Sequence, residues 1–173
     1  MKVQDVTPVK FVLGIIYPPV FDIAGYKKYL ESVFGPAELQ SREFDFDVTA
    51  YYEAEMGKYL LRTFIAFGGL ISPGALAGMK CLTNVMEDRD RDKGKRSVNL
   101  DPGYLDLDKF VLASAKYGRQ KIYIGKGIYA DPALYYYKKT FHPYEWSFPD
   151  FHSPAYLPFF SAVRDRYKEQ LRP

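Results

Sequence analysis

Apolar and polar positions along this chain follow two different periods, and each change of period marks an element. Residues 10–17 (KFVLGIIY) form an almost continuous apolar run stopped by Pro18-Pro19, which predicts a strand buried on both faces. Tyr26, Tyr29, Leu30, Val33 and Phe34 then recur at helical spacing, so residues 21–34 read as an amphipathic helix ended by Gly35-Pro36. Residues 43–48 (EFDFDV) alternate strictly, with Phe44, Phe46 and Val48 facing a core and Glu43, Asp45 and Asp47 facing away. Residues 59–67 (YLLRTFIAF) predict a further strand. Ser72-Pro73 supplies an N-cap and a first helical residue. The helix it starts runs to about Glu87, with Leu76, Met79, Leu82 and Met86 on its apolar side and Lys80, Asn84 and Glu87 on a neighbouring stripe.

In the segment 96–131, Val98 and Leu100 take one strand face and Asn99 and Asp101 the other, before the turn chemistry of Asp101-Pro102-Gly103. A short helix is expected at about residues 106–117, closed by Gly118. Residues 121–130 and 133–140 then predict a hairpin around Asp131-Pro132. Residues 141–154 are aromatic, proline-rich and irregular. Ser153-Pro154 begins a last helix with Tyr156, Leu157, Phe160, Val163, Tyr167 and Leu171 on its apolar side. The first half has the strand–helix–strand–strand–helix–strand order of a ferredoxin-like sandwich. The expected fold is therefore α+β: a ferredoxin-like βαββαβ core with an added β-hairpin and a C-terminal helix, in one domain spanning residues 1–173.

Composition narrows the function classes. The single Cys81 excludes an internal disulfide and fits a reducing cytosol, so a cytoplasmic location is expected. No apolar run is long enough for a membrane span, so no membrane partner is expected. A net charge of +3 is too small to argue for nucleic acid, which is not an expected partner. The charge is unevenly spread, however. Residues 38–56 hold six acidic side chains and one basic, and residues 109–139 hold seven basic and one acidic. Sixteen Tyr and 13 Phe beside a single Trp supply rings for a core and for stacking on a ligand.

Candidate chemistry is sparse. His142, Asp150 and His152 match no metal-ligand spacing, so no metal site is assigned. Cys81 lies mid-helix as a structural thiol, and there is neither a G-x-S-x-G elbow nor a P-loop. Asp45, Asp47, Glu53, Glu55 and Asp101 offer carboxylates, but an Asp–Arg62 cross-strand pair is the simpler use for them. Phe64-Ile65-Ala66-Phe67 matches only the end of an RNA-recognition motif, with Leu60-Leu61 where its basic and glycine positions belong. Gly125-Lys126-Gly127 remains: a cation in phase with Ile122, Ile124 and Ile128, between two residues that allow close backbone approach. Arg119 and Lys121 lie near it. A β-bulge with Lys126 turned to solvent, or paired with Asp101, is the structural alternative.

Several motifs recur together: FVLGIIY near the start, FGP at 34–36, FDFDVTAYYEAEMG at 44–57, LTN at 82–84, VNLDPGYL at 98–105, IYIGKGIYAD at 122–131 and W-x-F-P-D-F at 146–151. In their order and number the chain resembles, over nearly its whole length, a family of small bacterial proteins described as a domain of unknown function. Members are often labelled "GTP-binding protein", which implies an anionic or nucleotide ligand. The chain lacks both a P-loop and an N-K-x-D guanine-reading motif, and the resemblance brings no catalytic residues with it.

The leading expectation is a protein that binds a phosphorylated small molecule or nucleotide. Lys126, held between Gly125 and Gly127, and Arg119 would meet phosphate; Asn99 and Asp101 would hold a hydroxyl or Mg²⁺; Tyr104 or Tyr129 would stack on a ring. Two alternatives stay open. One is an enzyme acting on a phosphate ester, with Asp101 as base or metal ligand. The other is an interaction module using the aromatics of residues 135–151 on protein or RNA. No catalytic residue, cofactor or oligomeric state is assigned.

Overall fold

The computed structural model describes residues 2–172, so the two terminal residues of the expected 1–173 domain lie outside it. Its elements are β1 (Val9–Tyr17), α1 (Ile23–Phe34), β2 (Ala37–Gln40), β3 (Phe44–Phe46), α2 (Glu53–Met56), β4 (Leu60–Ile71), α3 (Leu76–Arg89), β5 (Asn99–Leu105), β6 (Lys109–Ser114), β7 (Ile122–Gly125), β8 (Ile128–Tyr137), β9 (Thr140–Pro143) and α4 (Leu157–Gln170). The chain is thus mixed α/β, built on a nine-stranded sheet in the order β2-β4-β1-β5-β6-β8-β7, with β3 also on β4 and β9 also on β8. All pairings are antiparallel.

The predicted apolar strand lies near the middle of this sheet, and every residue of β1 is buried. Its two faces feed two cores, because successive side chains point to opposite sides. Phe11, Leu13, Ile15 and Tyr17 pack with Leu30 of α1, Met86 of α3, and Ile65 and Phe67 of β4. Val12 packs on the other side with Phe64, Leu105, Phe110, Phe151 and Phe160, under α4. The result is α1 and α3 on one face of the sheet and α4 on the other. Lys10 is also fully buried. Its ammonium reaches Glu38, the Gly68 carbonyl (3.3 Å) and Gln170 Oε1 (2.8 Å), tying the end of α4 to β2 and β4.

Three local expectations are corrected. Asp101-Pro102-Gly103 is not a turn but the middle of β5. Residues 106–117 are not a helix: Asp106 Oδ1 accepts from the N–H groups of Asp108 and Lys109 (2.8 Å each), making a tight turn that launches β6. The hairpin does not turn at Asp131-Pro132, which lies within β8 at a bulge where Ala133 is the extra residue between Pro132 and Leu134. A bulge tolerates proline because the ladder is already interrupted there. The turn instead falls at Lys126-Gly127, both with positive φ (55° and 74°), the signature of a two-residue type I′ hairpin loop. The strand expected at 43–48 shrinks to Phe44–Phe46, and Val48 is exposed. Leu82 and Val33, expected on apolar helix faces, are exposed too.

Candidate functional site

Pro102 sets the site's position. The N–H of Leu100 points away from β1, and alternation gives the residue two positions on the same sense. Proline there costs β1 no hydrogen bond and leaves nothing to donate towards β6. The β5–β6 ladder accordingly holds only Gly103, Tyr104 and Leu105, against Leu112, Val111 and Phe110. Beyond it the strands part. A cavity of about 450 Å³ fills the gap, with Asn99 and Asp101 on the β5 side and Leu112–Lys116 on the β6 side.

The orphaned edge of β5 is satisfied from α3. Leu100 N–H donates to Glu87 Oε1 (2.8 Å), and Lys80 Nζ donates to the Leu100 carbonyl (2.8 Å). Two charged side chains thereby stand in for a missing strand, with Lys80 and Glu87 themselves 3.6 Å apart. This explains why Lys80 and Glu87, polar in the sequence, are buried here. Arg96 closes one end: Nη1 donates to Asn99 Oδ1 (2.7 Å) and to Glu87 Oε2 (3.3 Å), and Nε lies 3.0 Å from Glu55.

Beneath this lies Arg62, 2% exposed, on the sheet face towards α4. Its guanidinium meets Asp150 (3.2 Å) and Asp101 (3.3 Å) and is ringed by Phe64, Phe151 and Phe46 at 4.8, 5.4 and 5.7 Å. Room for it comes from Gly14: a Cβ there would stand 2.7 Å from Arg62 Nη2. The expected Asp–Arg62 pair therefore exists, but with Asp101 and Asp150 rather than with Asp45 or Asp47. Burial pulls the Arg62 guanidinium down, and the Asp150 and Asp101 carboxylates outweigh it, so the net direction is upward. Burial pushes Asp150 up, against the pull of Arg62. Burial likewise raises Glu87, against Lys80 and the Leu100 N–H.

Among the described residues, Arg62 Nε and Asn99 Nδ2 are buried donors on cavity-lining residues with no hydrogen-bond partner, and Arg62 Nη2 has only its 3.3 Å ion pair with Asp101. At the rim, Lys121 bonds Ser114 Oγ (2.9 Å) and pairs with Asp131 (3.0 Å), and Lys116 lies 4.1 Å over the Tyr51 ring. Tyr52 and Phe148 supply further aromatic wall, and burial, followed by the nearby Asp101, raises the Tyr52 phenol.

Of the residues singled out in the sequence, Asn99 and Asp101 line this cavity; Tyr104, Arg119, Gly125, Lys126, Gly127 and Tyr129 are not among its lining. Lys126 sits at the tip of the β7–β8 hairpin, its ammonium near Gly78 of α3. Asp101 is paired with Arg62. Tyr129 packs edge-on against Tyr117 and Tyr123 (5.9 and 5.5 Å), and Tyr104 is half-buried over the small cluster of α3, β6 and β8. The sequence reading missed Lys80, Glu87, Arg96 and Lys116. Gly14, an isolated glycine in an unbroken apolar strand, signals the close approach of Arg62 and not of these four.

A family model described as a domain of unknown function (DUF4416) matches residues 7–167. The chain belongs to this family. Comparison with curated proteins and with solved structures returns no match. Among the described residues no helix is long and apolar enough to cross a membrane.

The charge balance of the site has a measurable consequence. The Glu87 carboxyl is raised in the folded state, so its contribution to stability is full below its ordinary range and is lost as pH rises through the folded value. Denaturant melts between about pH 4 and 7 should show the stability gap between wild type and Glu87→Gln shrinking as pH rises. A gap that widens with pH would mean that Lys80 and Arg96 dominate over burial.

Proposed function

We propose that the protein binds a small phosphorylated or otherwise anionic metabolite in the cavity between β5 and β6. The observation that carries the reading is the pair of buried, unpartnered donors Arg62 Nε and Asn99 Nδ2 in cavity-lining residues. An unmade buried hydrogen bond costs about 1–3 kcal/mol, and a ligand rich in acceptor oxygens removes that cost. Lys116 at the rim adds positive charge, Lys121 being paired with Asp131, and Tyr51, Tyr52 and Phe148 suit a planar group such as a nucleotide base. Asp101, partly exposed and on the lining, is the acceptor for a ligand hydroxyl. The loop at Gly125–Gly127 is a turn in this reading rather than a phosphate cradle.

The scaffold we infer is ferredoxin-like. The order β2-β4-β1-β5, with α1 leading from β1 to β2 and α3 from β4 to β5, supports it. A single half-buried Cys81 supports a reducing, cytoplasmic setting.

The test is thermal denaturation of the wild type and of Asn99→Asp against inorganic phosphate, nucleotides and sugar phosphates. Asn99→Asp keeps the oxygen that Arg96 needs and replaces the free donor by a carboxylate oxygen. A ligand present at about 100 times its Kd should stabilise the wild type by about 2.7 kcal/mol and the variant far less. Lys126→Ala should respond as the wild type does. Equal stabilisation of wild type and Asn99→Asp would overturn the reading.

A further inference from the structure

The β8–β9 hairpin carries a second surface, separate from the cavity. Alternate residues of β8 point to opposite faces: Leu134 and Tyr136 pack towards α4, with Arg164 lying 3.6 Å over the Tyr136 ring. Tyr135 and Tyr137 are turned the other way and stay exposed (36% and 56%). There they begin a continuous row of rings. The Trp146 indole lies flat on Tyr144 (4.9 Å, 10°), Tyr144 leans on Tyr135 (5.0 Å), Tyr135 stacks on its cross-strand partner His142 (5.4 Å, 27°), and His142 reaches Tyr137 (6.3 Å).

The row is fixed in place. Trp146 Nε1 donates to the Pro132 carbonyl (3.2 Å), Ser147 Oγ donates to the Ala133 carbonyl (2.6 Å), and His142 Nε2 donates to the Tyr137 carbonyl (3.1 Å). Trp146 is nonetheless 47% exposed. The exposed part of its surface contributes no apolar burial to the fold.

The tip of the same hairpin breaks a local rule. Tyr137 and Thr140 are joined by Lys138-Lys139, with φ of 47° and 68°. A two-residue loop of this kind favours Asn-Gly, because L side chains adopt positive φ reluctantly. Two lysines held there put positive charge at the end of the aromatic row, and Lys138 lies 5.3 Å over the Tyr137 ring. Glu145 is the opposing charge within the segment. Rings that accept any base, joined to cations that meet a backbone, are what unpaired polynucleotide requires.

We propose that this hairpin face binds single-stranded nucleic acid, with bases stacking on Trp146, Tyr144 and Tyr135 and the phosphate backbone crossing Lys138-Lys139. A net charge of +3 leaves room for a local basic tip such as Lys138-Lys139, and this ribbon is distinct from the strand that carries Phe64-Ile65-Ala66-Phe67. Trp146 is the chain's only tryptophan and therefore reports stacking directly.

The experiment follows Trp146 fluorescence while single-stranded deca-thymidylate or deca-uridylate is added at several salt concentrations. The expected result is quenching in the wild type and in Asn99→Asp, and an affinity about 10-fold lower, read by anisotropy of a labelled strand, in Trp146→Ala. The double variant Lys138→Asn/Lys139→Gly should melt at or above the wild-type temperature, because it relieves the turn, yet reduce the log–log salt slope by about 1.4. Three results would overturn the proposal: fluorescence unmoved by either strand, a salt slope unchanged in the double variant, or equal quenching by a neutral oligosaccharide.

Discussion

Arg62→Leu is expected to destabilise the protein by about 3–5 kcal/mol, read as a fall in the urea midpoint. The magnitude follows from what is left behind. Asp150 is 2% exposed and takes its charge partner from Arg62 and a hydrogen bond from the Tyr156 hydroxyl (3.2 Å). Without the guanidinium that carboxylate is buried with no cation, and Asp101 loses its partner as well. The attraction of a buried pair roughly offsets its own desolvation, so the loss reflects the uncompensated charge and not the worth of the pair. A control separates the two. Arg62→Met combined with Asp150→Leu should recover most of the stability, because both charges leave together. If the double variant were as unstable as the single one, the three phenylalanines ringing the guanidinium would be its main support.

Gly103→Ala is the second large effect expected, about 3 kcal/mol, at the upper end of the usual overpacking range. A Cβ at Gly103 would lie 2.7 Å from the Val111 carbonyl oxygen and 2.8 Å from the Phe110 ring. The first contact is with backbone, so it is relieved only by moving β6 away from β5. That junction has three residue pairs and no more, and it carries the attachment of β6, β7, β8 and β9 to the rest of the sheet. Hydrogen exchange in β6 and β8 should accelerate more than in β1 and β4. Uniform acceleration would mean that the two halves of the sheet open together.

Much of this architecture was legible in the sequence. The unbroken apolar run of β1, the helical spacing in α1 and the Ser-Pro helix starts at 72–73 and 153–154 each dictated an element that formed. Two of the misreadings share one cause. A local pattern reads proline and glycine as ends of strands, at Asp101-Pro102-Gly103 and at Asp131-Pro132. In both places the strand continues, because the absent N–H falls where no partner strand asks for it: at the split between β5 and β6, and at the bulge in β8. That geometry depends on which neighbour lies beside the strand, which a local pattern does not encode. The same blindness hid the site. Lys80 and Glu87 read as a polar stripe beside the apolar one, yet they replace the missing ladder on Leu100. Asn99 and Asp101, which share a strand face in the sequence, both line the cavity. Lys126, also in phase with apolar neighbours, is accounted for by the hairpin loop.

The measurement that bears most directly on ligand binding between β5 and β6 is amide shift mapping of isotopically labelled protein, titrated with the best ligand of the thermal panel. Ligand binding between β5 and β6 should concentrate shifts at Tyr51 and Tyr52, at residues 99–101 and at residues 112–116, the segments that line the cavity. Shifts centred on Gly125–Gly127, with the cavity segments unmoved, would contradict it and return the phosphate site to the hairpin tip.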